Sequence, residues 1–334
     1  MLLLILVLGL LLQPWVTLPV LPPFRSPAVT SERSGHPGPA GPTLTLWDVK
    51  EQELLELPLE EYLVGVVAAE MPAQFPLEAL KAQAIAARTF ALRALVSGVK
   101  IPEAPRASLS SDFRTGQAWQ SQEELKKKWG FLLYQWNICR IRKAVSETRG
   151  VVIIHDGQLI FPAFHSTSGG RTEDSENYWA TALPYLRSVE SPYEEDSPYW
   201  RTTVTIPIAS ALARLSASSP HASGSAGTGT GRGAAVGSGT VRVQVVGRYP
   251  SGRVRLLQLN GHYYTGREVR EALGLPSSWF EVEAQGSILR FEVRGYGHGV
   301  GLSQYGAAGM ARRGANFQQI LTHYYQGVTL ARAY

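Results

Sequence analysis

The chain has 334 residues, 44% hydrophobic and 18% charged, which excludes wholesale disorder and suits one large or two modest globular domains. A formal charge of +5 favours polyanionic surroundings, whether cell wall, nucleic acid or anionic lipid, without choosing among them. The single cysteine, Cys139, excludes an internal disulfide framework and any cysteine-rich zinc site.

Residues 1–21 carry no charged side chain and are apolar enough for a signal peptide or a single membrane anchor. No small-x-small cleavage pattern follows the leucine run, which favours an anchor that leaves the rest of the chain on the extracytoplasmic side. Residues 22–43, built from Pro, Gly and Ser with little to bury, read as a flexible stalk, so folding should begin near Leu44. Residues 54–69 place Leu, Val and Ala at helical spacing, and residues 77–96 predict a helix with Leu80, Ala84, Ala87, Ala91 and Leu95 on one face. Residues 150–164 read as two strands joined by the turn signal Asp156-Gly157. The low-complexity stretch 216–240 is a surface loop or a linker between subdomains. Beyond it, residues 241–259, 279–284 and 288–293 read as strands, 267–273 as a short helix, and 307–325 return to helical spacing. The expected fold is α+β: helices and antiparallel strands in one large domain, 44–334, with room for a smaller inserted subdomain.

Three stretches can carry chemistry. In VGVVAAEMPAQF, Glu70 is the only acidic group, and Pro72 disfavours helical geometry at Met71, so the helix should end there. A carboxyl at a helix C-terminus, flanked by Val66, Val67 and Met71, is pushed towards a raised pKa by the dipole and by desolvation. A carboxyl that keeps its proton near neutral pH suits general-acid catalysis; a helix-ending surface Glu is the plain alternative. Arg88, on the next helix, is either a solvated side chain or a partner for Glu70 or for an acidic substrate. The loop FHSTSGGRTEDSENYW, with His165, Ser168, Gly169 and Arg171, can offer N–H and hydroxyl donors to an oxygen-rich ligand or form an ordered turn that satisfies itself. In GYGHGVGLSQYGA, alternate glycines would leave one face of an extended segment bare, permitting close approach of a ligand or another backbone. No G-x-S-x-G elbow and no H-E-x-x-H pair occurs, and residues 126–128, three lysines, read as a solvated helix face.

Taken in order, EYLVGVVAAEMPAQFPLEALKAQAIAARTFAL, FHSTSGGRTEDSENYW with ALPYLRSVESPYE, and GYGHGVGLSQYGAAGMARRGANFQQILTHYYQGV strongly resemble the stage II sporulation protein D family, which includes the amidase enhancers. The resemblance implies a membrane-anchored lytic transglycosylase that cuts peptide-stripped peptidoglycan strands during sporulation, alongside an amidase-endopeptidase and membrane proteins of a sporulation complex, and not a nucleic-acid binder. It maps the family's catalytic glutamate onto Glu70 and a motif arginine onto Arg88. It maps the His loop onto His165, Ser168 and Gly169, and the Gly-rich motif onto His298, Gln304 and Tyr305. Residues 100–136 lack the cysteines common in relatives and no Cys follows His165, so the zinc some relatives hold is not expected and no cofactor is assigned. Two other readings compete: a wall-binding activator of an amidase that cuts nothing, and a conventional hydrolase using Glu173, Asp174 or Glu176 as a second carboxylate.

Overall fold

The computed structural model describes residues 41–98, 100–112, 114–179, 181–218 and 241–334. The expected anchor, nearly all of the stalk and the low-complexity stretch beyond residue 218 lie outside the described residues. Folding begins with the hairpin β1 (Thr43–Asp48) and β2 (Glu53–Pro58), paired antiparallel with Leu46 opposite Leu55. Helical spacing at residues 54–58 therefore misleads. Leu55 and Leu57 face the core while Leu54 faces solvent, a period of two, and Pro58 (ψ 136°) holds the chain extended until helix α1 (Leu59–Glu70) starts.

Helix α2 (Leu77–Ser97) is the centre of the molecule. Its alanines at 79, 82, 84, 86, 87 and 91 are all fully buried, which lets α1 and the long helix α3 (Gln122–Glu147) approach closely. α2 stops at Gly98, in the left-handed region at φ 62°. Strand β3 (Leu109–Ser110) adds parallel to β1. α3 opens with a capping box between Ser121 and Glu124 and is broken at Gly130 (φ 69°, ψ 165°). The expected hairpin follows as β4 (Val151–His155) and β5 (Gln158–Leu159), with positive φ at both Asp156 and Gly157, the signature of a type I′ turn. Short β6 (Phe164–His165) and one-turn α4 (Glu176–Trp179) complete the first half.

A separate core then forms between β7 (Thr202–Pro207), α5 (Ile208–Ser218), β8 (Val243–Arg248), β9 (Val254–Leu259), β10 (His262–Thr265), α6 (Gly266–Leu273), β11 (Phe280–Gln285) and β12 (Ile288–Val293). Two three-stranded antiparallel sheets, β10-β9-β8 and β11-β12-β7, enclose Ile206, Leu215, Leu257, Val269, Phe280 and Phe291. The inserted core is riveted to the rest by Arg253, fully buried, whose Nη1 and Nη2 donate to the carbonyls of Arg171 (3.0 Å) and Ser168 (2.9 Å), and by Ser251, which donates to Glu173 at 2.6 Å.

The chain returns to the first core through β13 (Leu302–Ser303), parallel to β6, then α7 (Gln304–Arg312), α8 (Phe317–Tyr324) and β14 (Thr329–Arg332), which pairs with β4. The helical run at 307–325 is thus two helices. Gly314 (φ 92°) ends one, and a capping box between Asn316 and Gln319 starts the other. The architecture is α+β, helices with mostly antiparallel strands, as expected from the pattern.

Candidate active site

α1 stops where Pro72 requires it. Met71 is extended (φ −123°, ψ 144°), so Glu70 is the last helical residue and its carboxyl stands at the negative end of the helix dipole. Glu70 is partly buried, with its side chain on the wall of a cleft of about 290 Å³ lined by residues 68–74, Lys128 and Trp129. Each oxygen receives one neutral donor: the backbone N–H of Ala118 at 3.2 Å on Oε1, and the Nε2 amide of Gln304 at 3.1 Å on Oε2. Burial dominates these two hydrogen bonds and pushes the Glu70 pKa up to about 7. The field of Glu70 also reaches buried Tyr62, whose phenol burial alone already drives upward and which donates to Gln117 at 3.4 Å.

Three elements distant in sequence hold this carboxyl. Gln304 is the first residue of α7, fixed by the N-cap of Ser303 and steadied by Gln83 of α2 at 3.5 Å. Ala118 belongs to the segment between β3 and α3, and its neighbour Trp119 lies across Gly65 of α1, where a Cβ would come within 2.2 Å of the indole nitrogen. Tyr305 packs its ring edge-on to Phe75 (5.0 Å) and donates its backbone N–H to Ser166. The Gly-rich motif thus reaches Glu70 through Gln304.

The other expected binding residues have different employment. Arg88 meets neither Glu70 nor the residues that line this cleft. It is fully buried, grips Glu60 through Nε and Nη2 at 2.8 Å each, and donates to the carbonyls of Val145 and Val151 at 3.2 Å. That pair ties α1, α2, α3 and β4 together, so Arg88 is a structural clamp and not a substrate ligand. The loop at 168–169 does bind an oxygen-rich group, but the group is the chain's own Glu194. The amides of Ser168 (3.3 Å) and Gly169 (2.8 Å) and the hydroxyls of Ser168 (2.9 Å) and Ser191 (2.6 Å) all donate to it. Arg171 donates to Ser188 (3.2 Å) and lies 3.7 Å from Glu190 at the surface.

His165 and His298 sit 5.5 Å apart, ring to ring, and share one residue. Nδ1 of His165 donates to the carbonyl of Val300 (3.1 Å), and Nδ1 of His298 accepts from its N–H (3.0 Å). Burial first lowers both pKa values, with His298 and then Arg253 adding at His165 and Arg270 adding at His298, which falls to about 3. The alternate glycines beside them do not form a bare extended face. All four have positive φ, and the close neighbours are protein: a Cβ at Gly297 would meet that of His165 at 2.8 Å, and one at Gly299 the guanidinium of Arg253 at 2.2 Å.

Glu173, Asp174 and Glu176 are taken up by Ser251 and Asn177, by the amide of Ser188, and by Arg187, respectively. None lines the cleft, where Glu70 is the one carboxylate among the lining residues. Among the described residues no group of three or more His, Cys, Asp or Glu converges as a metal site needs. Tyr62, Gln83, the 117–119 segment and Trp129 carry no motif that marks them in the sequence, and Lys128, which the sequence places on a solvated face, also lines the cleft. A polar Gln83 inside an alanine-rich buried face was the available signal for one of them.

The profile of the stage II sporulation protein family matches residues 48–155, which include Glu70 and Ala118. Two proteins called stage II sporulation protein D are each 40% identical: that of Bacillus subtilis (strain 168) over 87% of this chain and 79% of its own length, and that of Bacillus amyloliquefaciens over 83% and 75%. An amidase enhancer of Bacillus subtilis (strain 168) is 27% identical over 80% of this chain and 40% of its own length. At that identity and coverage, the chain belongs to the stage II sporulation protein D family.

Proposed function

We infer that the protein is a peptidoglycan lytic transglycosylase that cuts the MurNAc-GlcNAc bond of peptide-stripped glycan strands and leaves 1,6-anhydroMurNAc ends. The observation that carries this is a lone carboxyl with a pKa of about 7, held by two neutral N–H donors on the wall of a cleft with no second acid. Ordinary glycosidases need paired carboxylates at a set separation. One suffices when the sugar supplies its own nucleophile. Protonated Glu70 gives its proton to the bridging oxygen, which departs as the O4 hydroxyl of GlcNAc. The resulting carboxylate takes the proton of the C6 hydroxyl of MurNAc while O6 bonds to C1. The carboxyl is regenerated and no water is consumed. A pKa near 7 serves both halves of the cycle.

The family name points to sporulation, and the work would fall at the wall during engulfment, with residues 1–21 tethering the domain outside the membrane and an amidase-endopeptidase preparing the strands. The name of the amidase-enhancer relative favours one second reading, a wall-bound activator that cuts nothing. Digestion of stripped strands with the wild type and with Glu70→Gln separates the two by product mass. Anhydro ends, lighter by one water than reducing ends, should come from the wild type alone. Wild-type protein that yields none, yet stimulates an amidase, would establish the activator.

A further inference from the structure

Residues 126–128 are all exposed, as a solvated basic face requires, and Lys128 also lines the cleft. It is the only cation among the residues lining the cleft, as Glu70 is the only anion. The segment of α3 that carries it ends at Gly130, which turns the chain, and Trp129 between them is partly buried, packed against the main core with its ring 6.4 Å from that of Tyr134. The ammonium donates to Gln120 Oε1 at 3.0 Å and lies 5.7 Å from the centre of the Trp129 ring. It has no carboxylate of its own: Glu124, whose field it feels, is already bonded to Lys50 and to the amide of Ser121.

Resting on the transglycosylase reading above, we propose that Lys128, beside the indole of Trp129, pairs with the free lactyl carboxylate of the muramic acid ring being cleaved, and so selects strands whose stem peptide is gone. The chemistry of the ring makes this reachable. The lactyl ether sits on C3 of the sugar whose C1 is attacked, so an acid at Glu70 and a cation for the lactyl group need stand only about one ring apart. The indole offers an apolar face for the C–H side of that ring. A stem peptide converts the carboxylate into a neutral amide, which removes the charge Lys128 recognises and crowds the cleft. An amide-hydrolysing reaction must therefore come first.

The test uses full-length protein carrying Glu70→Gln, so that binding is read without cleavage. Its affinity is measured for stripped strands and for the same strands with their lactyl carboxylates converted to methylamides. Adding Lys128→Met should weaken binding of stripped strands roughly 10- to 100-fold, the loss expected for a charge-assisted contact, and leave methylamide strands unchanged. Lys128→Arg should keep the preference. Equal loss on both strands, no loss on either, or a Glu70→Gln protein that does not prefer stripped strands would each overturn the proposal. Failure of the wild type to form anhydro ends would refute the cleavage chemistry instead, and would leave carboxylate selection standing as a property of a binder.

Discussion

Two glutamates at opposite ends of α1, Glu60 and Glu70, are both partly buried and behave oppositely. Glu60, in the first turn, is opposed by burial, but the charge and hydrogen bonds of Arg88 outweigh it, with help from Tyr334, and hold its pKa below the ordinary carboxylate range. Glu70, in the last turn, meets only neutral N–H donors, so burial wins and its pKa climbs to about 7. The dipole of the helix acts in the same sense at both ends, favouring the anion at Glu60 and opposing it at Glu70. The same side chain thus becomes a strut at one end of a helix and an acid at the other, and the decisive difference is a guanidinium.

The largest effect should come from abolishing that difference at the acidic end. Glu70→Gln keeps the shape and removes the transferable proton, and should lower cleavage of stripped strands by roughly 10²- to 10⁴-fold, measured as anhydro ends released. The same variant should be more stable above pH 7. A carboxyl whose folded pKa exceeds its ordinary 4.5 stabilises the fold below pH 4.5 and loses that contribution as pH rises towards 7. A shift from 4.5 to about 7 corresponds to at most about 3 kcal/mol, visible as a higher midpoint in denaturant at pH 8 and no gain at pH 4. A Glu70→Gln protein as active as the wild type would remove the basis of the enzyme reading.

At the other end, Arg88→Met should leave the partly buried Glu60 and the carbonyls of Val145 and Val151 without their donor and cost about 3–5 kcal/mol, read by chemical denaturation. If Arg88 bound substrate instead, the loss would fall on KM with stability intact. Smaller is the effect of Gly65→Ala, where the added methyl collides with Trp119. A destabilisation of about 1–3 kcal/mol is expected, together with slower cleavage as the 117–119 segment shifts and the Ala118 N–H leaves Glu70. The smallest and most diagnostic change is Gln304→Leu. It deletes a hydrogen bond that lowers the Glu70 pKa, so the alkaline limb of the kcat/KM profile, near pH 7 in the wild type, should move upward by roughly one unit or less. A downward move would show that Gln304 acts on something other than Glu70.

Local chemistry was legible along the chain because it needs only neighbours. The stop before Pro72, the Asp156-Gly157 turn and the buried alanine face of residues 77–96 follow from backbone sterics and spacing. Residues 54–58 misled because five residues fit two periods equally well, and pairing with β1 chose the strand. The identity of Glu70 as the group to watch also came from its local setting, a carboxyl where a helix must end.

What only the tertiary structure decided is who stands beside whom. Ala118 and Gln304, 48 and 234 residues from Glu70 in sequence, supply its two donors. Glu194 fills the donor loop that seemed to await a ligand, and Glu60 claims the arginine that seemed free for Glu70. A pKa is set by burial and by charges within a few ångströms, and in a folded chain those distances are fixed by packing between segments. The sequence determined which groups could titrate, and the fold determined which way each of them went.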